Sequence, residues 1–180
     1  MKTLTLLRHA KSGWDDPVLR DFDRPLNKKG IRAANSMGQK MRAEGLQVDK
    51  LVASPAARVV GTLEGFSEGL GRVIEPVWDR RIYLASSATL LDIIRETDDS
   101  VENLMLVGHN PGLEDLVLDL VSDDGHSPLR DVVEEKFPTA SIVRMSWGGA
   151  SWSSLGSSSG IKLEFFIRPR DIDPELGPDH

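Results

Sequence analysis

Short apolar runs alternate along this chain with longer amphipathic segments, and that alternation restricts the fold more than any other feature. Thr3-Leu4-Thr5-Leu6-Leu7, Lys50-Leu51-Val52-Ala53 and Leu104-Met105-Leu106-Val107 read as buried strands. Val73-Ile74 suggests a short strand, and Ser141 to Ser146 and Ile161 to Ile167 read as two more. Helical patterns lie between them. Ile31, Ala34, Met37, Gly38 and Met41 fall at helical spacing in a segment capped near Asn27, running to about Glu44 and stopped by Gly45. Further helices are predicted from about Ala56 to Gly69, from Thr89 to Glu96, and from Pro111 to about Leu120, with Pro55 and Pro111 at first-turn positions. Ser12 to Leu26 reads as a long irregular loop, Ser122 to Pro128 as a polar turn, and the Gly/Ser-rich stretch from Gly148 to Gly160 as mobile. Strands alternating with helices predict an α/β fold of three layers, with a mostly parallel central sheet flanked by helices. One domain is expected over residues 1–168, followed by an irregular, Pro- and Asp-rich tail over 169–180.

Composition narrows the function classes. With 39% hydrophobic and 28% charged residues the chain has a globular balance, neither disordered nor membrane-embedded. No apolar run approaches the roughly 18 residues that span a bilayer. The apolar start is interrupted by Arg8 and His9, too soon for a signal peptide, so a cytoplasmic protein is expected. The absence of cysteine excludes disulfides and thiolate metal sites and agrees with that compartment. A formal net charge of −6 opposes non-specific nucleic-acid binding while leaving room for a local basic pocket. Neither nucleic acid nor membrane is therefore an expected partner, and the sequence leaves the oligomeric state open.

In open α/β sheets, ligands bind beyond the carboxyl ends of the strands. Arg8 and His9 follow the first predicted strand, Ser54-Pro55 the second, and Gly108-His109-Asn110-Pro111 the strand ending at Val107. Arg8, His9, Arg58 and His109 thus converge on one sheet edge. Two guanidiniums present planar forks matched to phosphate oxygens. A neutral imidazole is a competent nucleophile towards phosphorus, and a second histidine can donate to a developing equatorial oxygen. Helix N-termini near Pro55 and Pro111 would add backbone N–H groups and positive dipole ends. The result is a dianion pocket holding a nucleophile. Taken singly, each element has an ordinary explanation: a structural pair at a strand end, a turn, a solvated helix charge. A zinc site built from His9 and His109 with Asp15 or Asp16 is the metal alternative, but two neighbouring arginines would repel a divalent cation, so no metal is expected.

The string Leu7-Arg8-His9-Ala10-Lys11-Ser12-Gly13-Trp14 resembles the Arg-His-Gly signature of the histidine phosphatases, also called phosphoglycerate mutase-like proteins. Ser54-Pro55-Ala56-Ala57-Arg58 resembles their second-arginine motif, and Gly108-His109-Asn110-Pro111 their second-histidine motif, in the same order and spacing. Asp23-Arg24-Pro25-Leu26 followed by Gly30, then Tyr83-Leu84-Ala85 and Lys136-Phe137-Pro138-Thr139-Ala140, are similar to the compact SixA-type phosphohistidine phosphatase branch. Together these motifs cover the chain to about Pro169. The resemblance implies that His9 becomes phosphorylated, that Arg8, Arg58 and His109 hold the phosphoryl group, and that Ser12 also contacts it. Two departures stand out. Ala10 replaces the usual glycine, which requires a negative φ there. Asp15 stands where mutase relatives often carry asparagine, and a carboxylate beside a dianion disfavours mutase activity.

Larger relatives carry a helical insertion between the second-arginine and second-histidine motifs that supplies a lid and a general acid. Here Val59 to Gly108 is filled by a helix, a strand and a second helix, and its acidic residues Glu75 and Asp79 read as surface charges. An alkoxide leaving group needs a general acid, whereas a phosphohistidine imidazole leaves readily once its other nitrogen is protonated. The expected activity is therefore hydrolysis of phosphohistidine, without a cofactor, on a phosphorylated protein or a small phosphorylated molecule. The alternatives are a small-metabolite phosphomonoesterase using Asp15, Glu75 or Asp79 as its acid, and a low-turnover phosphate-binding regulatory module.

Overall fold

The computed structural model describes residues 1–13, 19–123, 125, 127–157 and 159–177. Its six strands are β1 (Lys2–Arg8), β2 (Lys50–Ala53), β3 (Pro76–Trp78), β4 (Asn103–Gly108), β5 (Ile142–Trp147) and β6 (Lys162–Ile167). They form one sheet in the order β3-β2-β4-β1-β5-β6. The first four in that order run parallel, while β5 is antiparallel to both β1 and β6. The predicted three-layer α/β fold with a mostly parallel sheet is the fold observed.

Alternation along the central strands divides the core. Leu4, Leu6, Leu104 and Leu106 point into one layer, covered by α3 (Ser87–Arg95), α4 (Gly112–Leu120) and α5 (Pro128–Glu135). Leu7, Met105 and Val107 point into the other, covered by α1 (Lys28–Ala43) and α2 (Ala57–Leu70). Both faces of β1 and β4 are covered, as parallel strands require. Helix ends follow local chemistry. The Asn27 side chain accepts from the Gly30 amide at the start of α1, Ser86 caps α3 and Ser127 caps α5. Gly71, at φ 81°, closes α2 in the left-handed conformation. No helix among the described residues is long and apolar enough to cross a membrane.

Three local expectations need correcting, and one helix joins the expected elements. The edge strand lies at Pro76–Trp78, not Val73-Ile74, because residues 72–75 are needed to carry the chain from the end of α2 to the level of β2, where Leu51 pairs Pro76. A helix, α5, follows the polar turn and buries Val133. The Gly/Ser-rich stretch is anchored in its middle: Trp152 is fully buried, its indole N–H donates to the Val101 carbonyl at 2.7 Å, and its ring meets Trp147 edge-on. The tail is not irregular throughout. Pro169–Ile172 form a short helix, α6, whose Asp171 carboxylate accepts from the Arg168 amide. A 3-10 turn over Pro174–Leu176 then sets Leu176 into the α1–α2 layer.

Helices α1 and α2 touch backbone to backbone. A Cβ added at Gly38 would lie 2.2 Å from the Phe66 carbonyl oxygen, and one at Gly69 would lie 2.0 Å from that of Asn35. Alanine at Gly38 gains helix propensity but must push the helices apart, and overpacking of this kind outweighs that gain. Gly38→Ala is expected to lower unfolding free energy by about 2 kcal/mol in denaturant titration. Gly148→Ala, at a position with open space around it, is expected to change it by less than about 0.5 kcal/mol. Equal stability of the two variants would refute the contact.

Candidate active site

The carboxyl ends of β1, β2 and β4 bring His9, Ser54 and His109 together, and the first turn of α2 adds Arg58. His9 and His109 have ring centroids 5.3 Å apart. Both are buried. The four residues expected to converge do so, with Arg8 at the end of β1 beside them.

Each imidazole is oriented by a specific bond. The His9 Nδ1 lies 2.7 Å from the Ala10 carbonyl oxygen. A carbonyl only accepts, so Nδ1 carries the proton and Nε2 keeps its lone pair. The loop bearing this bond is itself fixed: the Ala10 amide donates to Thr62 Oγ1 at 2.8 Å, and that hydroxyl donates to the Arg58 carbonyl. Ala10 is not among the described residues with positive φ, so the alanine meets the condition set by its departure from glycine. On the other side of β1, the Ala140 amide donates to the carbonyls of Arg8 and His9, with Ala140 held at φ 60°. His109 Nε2 is hydrogen-bonded to Ser54 Oγ at 2.8 Å, and its ring stands edge-on to Tyr83.

Electrostatics separates the two residue types. Burial pushes the His9 imidazole down to about 3, assisted by His109, Arg8 and Arg58, against a raising contribution from the Ala10 carbonyl. Burial and Arg58 push His109 down to about 4. Both are therefore neutral at neutral pH. The guanidiniums of Arg8 and Arg58 remain charged. Arg58, only 3% exposed, donates to the Asp21 backbone carbonyl at 2.8 Å and to Asp21 Oδ2 at 3.0 Å. Arg8 donates to the Phe137 carbonyl at 2.8 Å. Among the described residues, Nε of Arg8, Nε of Arg58 and Nδ1 of His109 are buried with no hydrogen-bond partner. Guanidinium and imidazole nitrogens of this kind are suited to a bound oxyanion.

Asp21 is the residue that the sequence did not single out. Its Oδ2 accepts from Tyr83 at 2.5 Å as well as from Arg58, and its Oδ1 accepts from Arg24 at 2.9 Å. Burial alone would raise this carboxyl, but the hydrogen bonds from Tyr83 and Arg24 and the Arg58 charge hold it well below the usual carboxylate range. Arg24 also donates to Ser12 Oγ at 2.6 Å, so Ser12 sits in this network with its own hydroxyl proton left for another acceptor. Arg24 and Tyr83 stood in recognisable motifs, but nothing in their spacing announced a shared carboxylate.

Two of the acids considered from sequence, Glu75 and Asp79, have surroundings of their own. Glu75 precedes β3 and so lies at the amino edge of the parallel strands, opposite His9. Asp79 caps the 3-10 turn Arg80–Ile82 and is paired with Arg81 at 2.8 Å, which holds it below its usual value. Asp15 and Asp16 lie outside the described residues. Glu114, in the first turn of α4, is instead the carboxyl beside Arg8, and burial with neighbouring Asp115 raises its pKa. The first turn of α2, which has no side-chain cap, also opens at this edge, although α2 begins at Ala57, later than Pro55 suggested, while in the first turn of α4 the Asn110 side chain accepts from the Glu114 amide at 3.2 Å.

Comparison with known proteins agrees with this geometry. The model of the histidine phosphatase superfamily (branch 1) matches residues 4–82. An uncharacterized protein of Mycobacterium tuberculosis is 34% identical over 162 residues, covering 89% of this chain and 99% of its own. A SixA-type structure from Nakamurella multipartitia superimposes with a TM-score of 0.80 at 28% identity, over 93% of this chain and 96% of that one. Another from Agrobacterium tumefaciens gives 0.77 at 28% identity, over 93% and 98%. With its fold, its paired histidines and its arginines in the family order, the chain belongs to the histidine phosphatase superfamily, in the SixA-type branch.

Proposed function

We propose that this histidine-type phosphatase hydrolyses phosphohistidine, on a protein, through a covalent phosphohistidine at His9. The observation that carries the reading is the tautomer lock: the Ala10 carbonyl holds the proton on Nδ1, leaving Nε2 as a neutral nucleophile among the cations. In the first step His9 Nε2 attacks phosphorus in line while the bond to the substrate imidazole breaks, that imidazole leaving neutral because its other nitrogen is protonated. Arg8, Arg58 and Ser12 hold the equatorial oxygens, and His109 adds a hydrogen bond to one of them. In the second step water attacks the phosphoryl group on His9, releasing inorganic phosphate and restoring the imidazole. Positioning and electrostatics supply most of the rate in such transfers. The two SixA-type structures carry the provisional designation phosphohistidine phosphatase, which supports the substrate class. So does the interval between α2 and β4, occupied by β3, a 3-10 turn and α3.

Enzyme mixed briefly with labelled substrate and quenched should carry a base-stable, acid-labile phosphoryl group that maps to His9. A label retained by His9→Ala would remove His9 from this role.

The depressed imidazole pKa values have a sign that can be checked. In the folded chain His9 and His109 stay neutral as pH falls through 6.5, where an unfolded chain takes up protons. Their NMR ring signals should therefore hold the neutral form from pH 8 down to about 5. For the same reason conformational stability should begin to fall as pH drops below about 6.5 and continue falling towards the folded values. Titration of either ring near 6.5 would contradict the buried, desolvated site.

The raised Glu114 carboxyl beside Arg8 favours a second reading, ester hydrolysis with Glu114 as general acid. The two readings separate in kcat/KM for a phosphohistidine peptide and an alkyl phosphate. The phosphohistidine peptide should be the better substrate, and Glu114→Gln should lower its turnover by less than about tenfold, below the usual general-acid effect. A preferred alkyl ester whose turnover collapses in Glu114→Gln would replace the phosphohistidine reading.

A further inference from the structure

Beside the His9 centre, on the side of β5 and β6, lies a cleft of about 350 Å3 lined by Arg8, Lys11, Lys29, Lys136, Arg168 and Arg170. The topology puts it there. Because β5 runs against β1 and β6 runs against β5, the start of β5 and the end of β6 share the sheet edge where β1 ends. Lys136 and the Arg168–Arg170 corner are thereby brought to Arg8, although they lie far from it in sequence. No carboxylate lines the cleft among the described residues, on a chain whose net charge is −6. Arg168 is occupied by Asp171 at 2.9 Å, and Lys29 donates to the Gly177 carbonyl. By contrast, Nε of Arg170 is buried without a hydrogen-bond partner, as is Nε of Arg8 across the same cleft. Buried guanidinium donors are costly to leave unsatisfied, and they match carboxylate and phosphate oxygens. The cavity has the size of a small-ligand group.

We propose that this cleft is a second anion subsite, taking a carboxylate or phosphate group carried by the same substrate whose phosphoryl group goes to His9. Arg8 belongs to both centres, so an anion in the cleft fixes the substrate relative to the nucleophile. The proposal rests on His9 as the phosphoryl acceptor but not on the identity of the leaving group. An acidic side chain flanking a phosphohistidine and a second phosphate on a small molecule are chemically equivalent sources.

The test uses matched pairs of substrates: phosphohistidine peptides with aspartate or asparagine at successive flanking positions, and aryl phosphates with or without a second phosphate. For the unaltered protein, the member bearing the second anion should have the higher kcat/KM in at least one pair, and the pair with the larger ratio identifies the source. Lys136→Gln and Arg170→Gln should lower that preference by about tenfold, the scale of one charge-assisted hydrogen bond. The change should fall in KM and leave the partner substrate within about twofold, and it should shrink at high salt. Absence of any preference in the unaltered protein overturns the subsite without recourse to a variant. Equal losses on both members of a pair also overturn it, as a general effect on the fold or on catalysis. If the peptides are not turned over while the aryl pair shows the preference, the subsite stands and the phosphohistidine reading falls. If the peptides are turned over without a preference in either pair, the reverse holds.

Discussion

A guanidinium buried as deeply as that of Arg58 must have an anion in contact with it, because a charge withdrawn from water without a partner costs several kcal/mol. Asp21 meets that need, and much of the site follows from it. To deliver one carboxylate to α2, the chain after β1 must leave the sheet and return. Its base is closed by the Gly13 amide on the Pro25 carbonyl, the Asn27 amide on the Lys11 carbonyl, and the bridge of Ser12 with Leu26. Arg24 and Tyr83 then share the same carboxylate, so a loop, a helix and the segment after β3 are tied at a single group. Phe22, beside Asp21, packs edge-on against Tyr83, adding an apolar contact to the ionic one.

Low dielectric acts in opposite directions on the two kinds of base present. An imidazole answers burial by giving up its proton, since its ordinary value is close to neutral pH. A guanidinium lies so far above that range that burial leaves it charged. Packing His9 and His109 beside Arg8 and Arg58 therefore sorts the site without a further device: the histidines keep lone pairs and the arginines keep charge. The hydrogen bond from His9 Nδ1 to the Ala10 carbonyl adds direction to that sorting by choosing which ring nitrogen faces outward.

The sheet and the four converging residues were legible in the sequence because both depend on short-range pattern. Apolar runs of four or five residues mark buried strands, and the chemistry sits immediately after them. α5 carries a weaker signal, with Ser127-Pro128 at its start and Leu129, Val132 and Val133 at helical spacing, but it is only eight residues long and follows directly on a polar turn. Trp152 was hidden by its glycine- and serine-rich surroundings, where composition outweighed a single anchoring ring. Asp21 was not legible at all. One aspartate in a charged loop looks like any other until Arg58 and Tyr83, dozens of residues away, are brought to it. The same holds for Glu114, whose relation to Arg8 arises only when α4 docks beside β1.

The sheet order carries a consequence for synthesis on the ribosome. Strand β1, which leads into His9, is the first of the six to emerge, yet its neighbours are β4 and β5, and among the described residues it has no ladder with β2 or β3. Until residue 108 has been made, β1 has nowhere to dock, and its second edge stays open until residue 147. Domains of this type fold as units once their non-local partners are available. Strand β1 is therefore an apolar segment without its sheet partners through the synthesis of at least the next hundred residues.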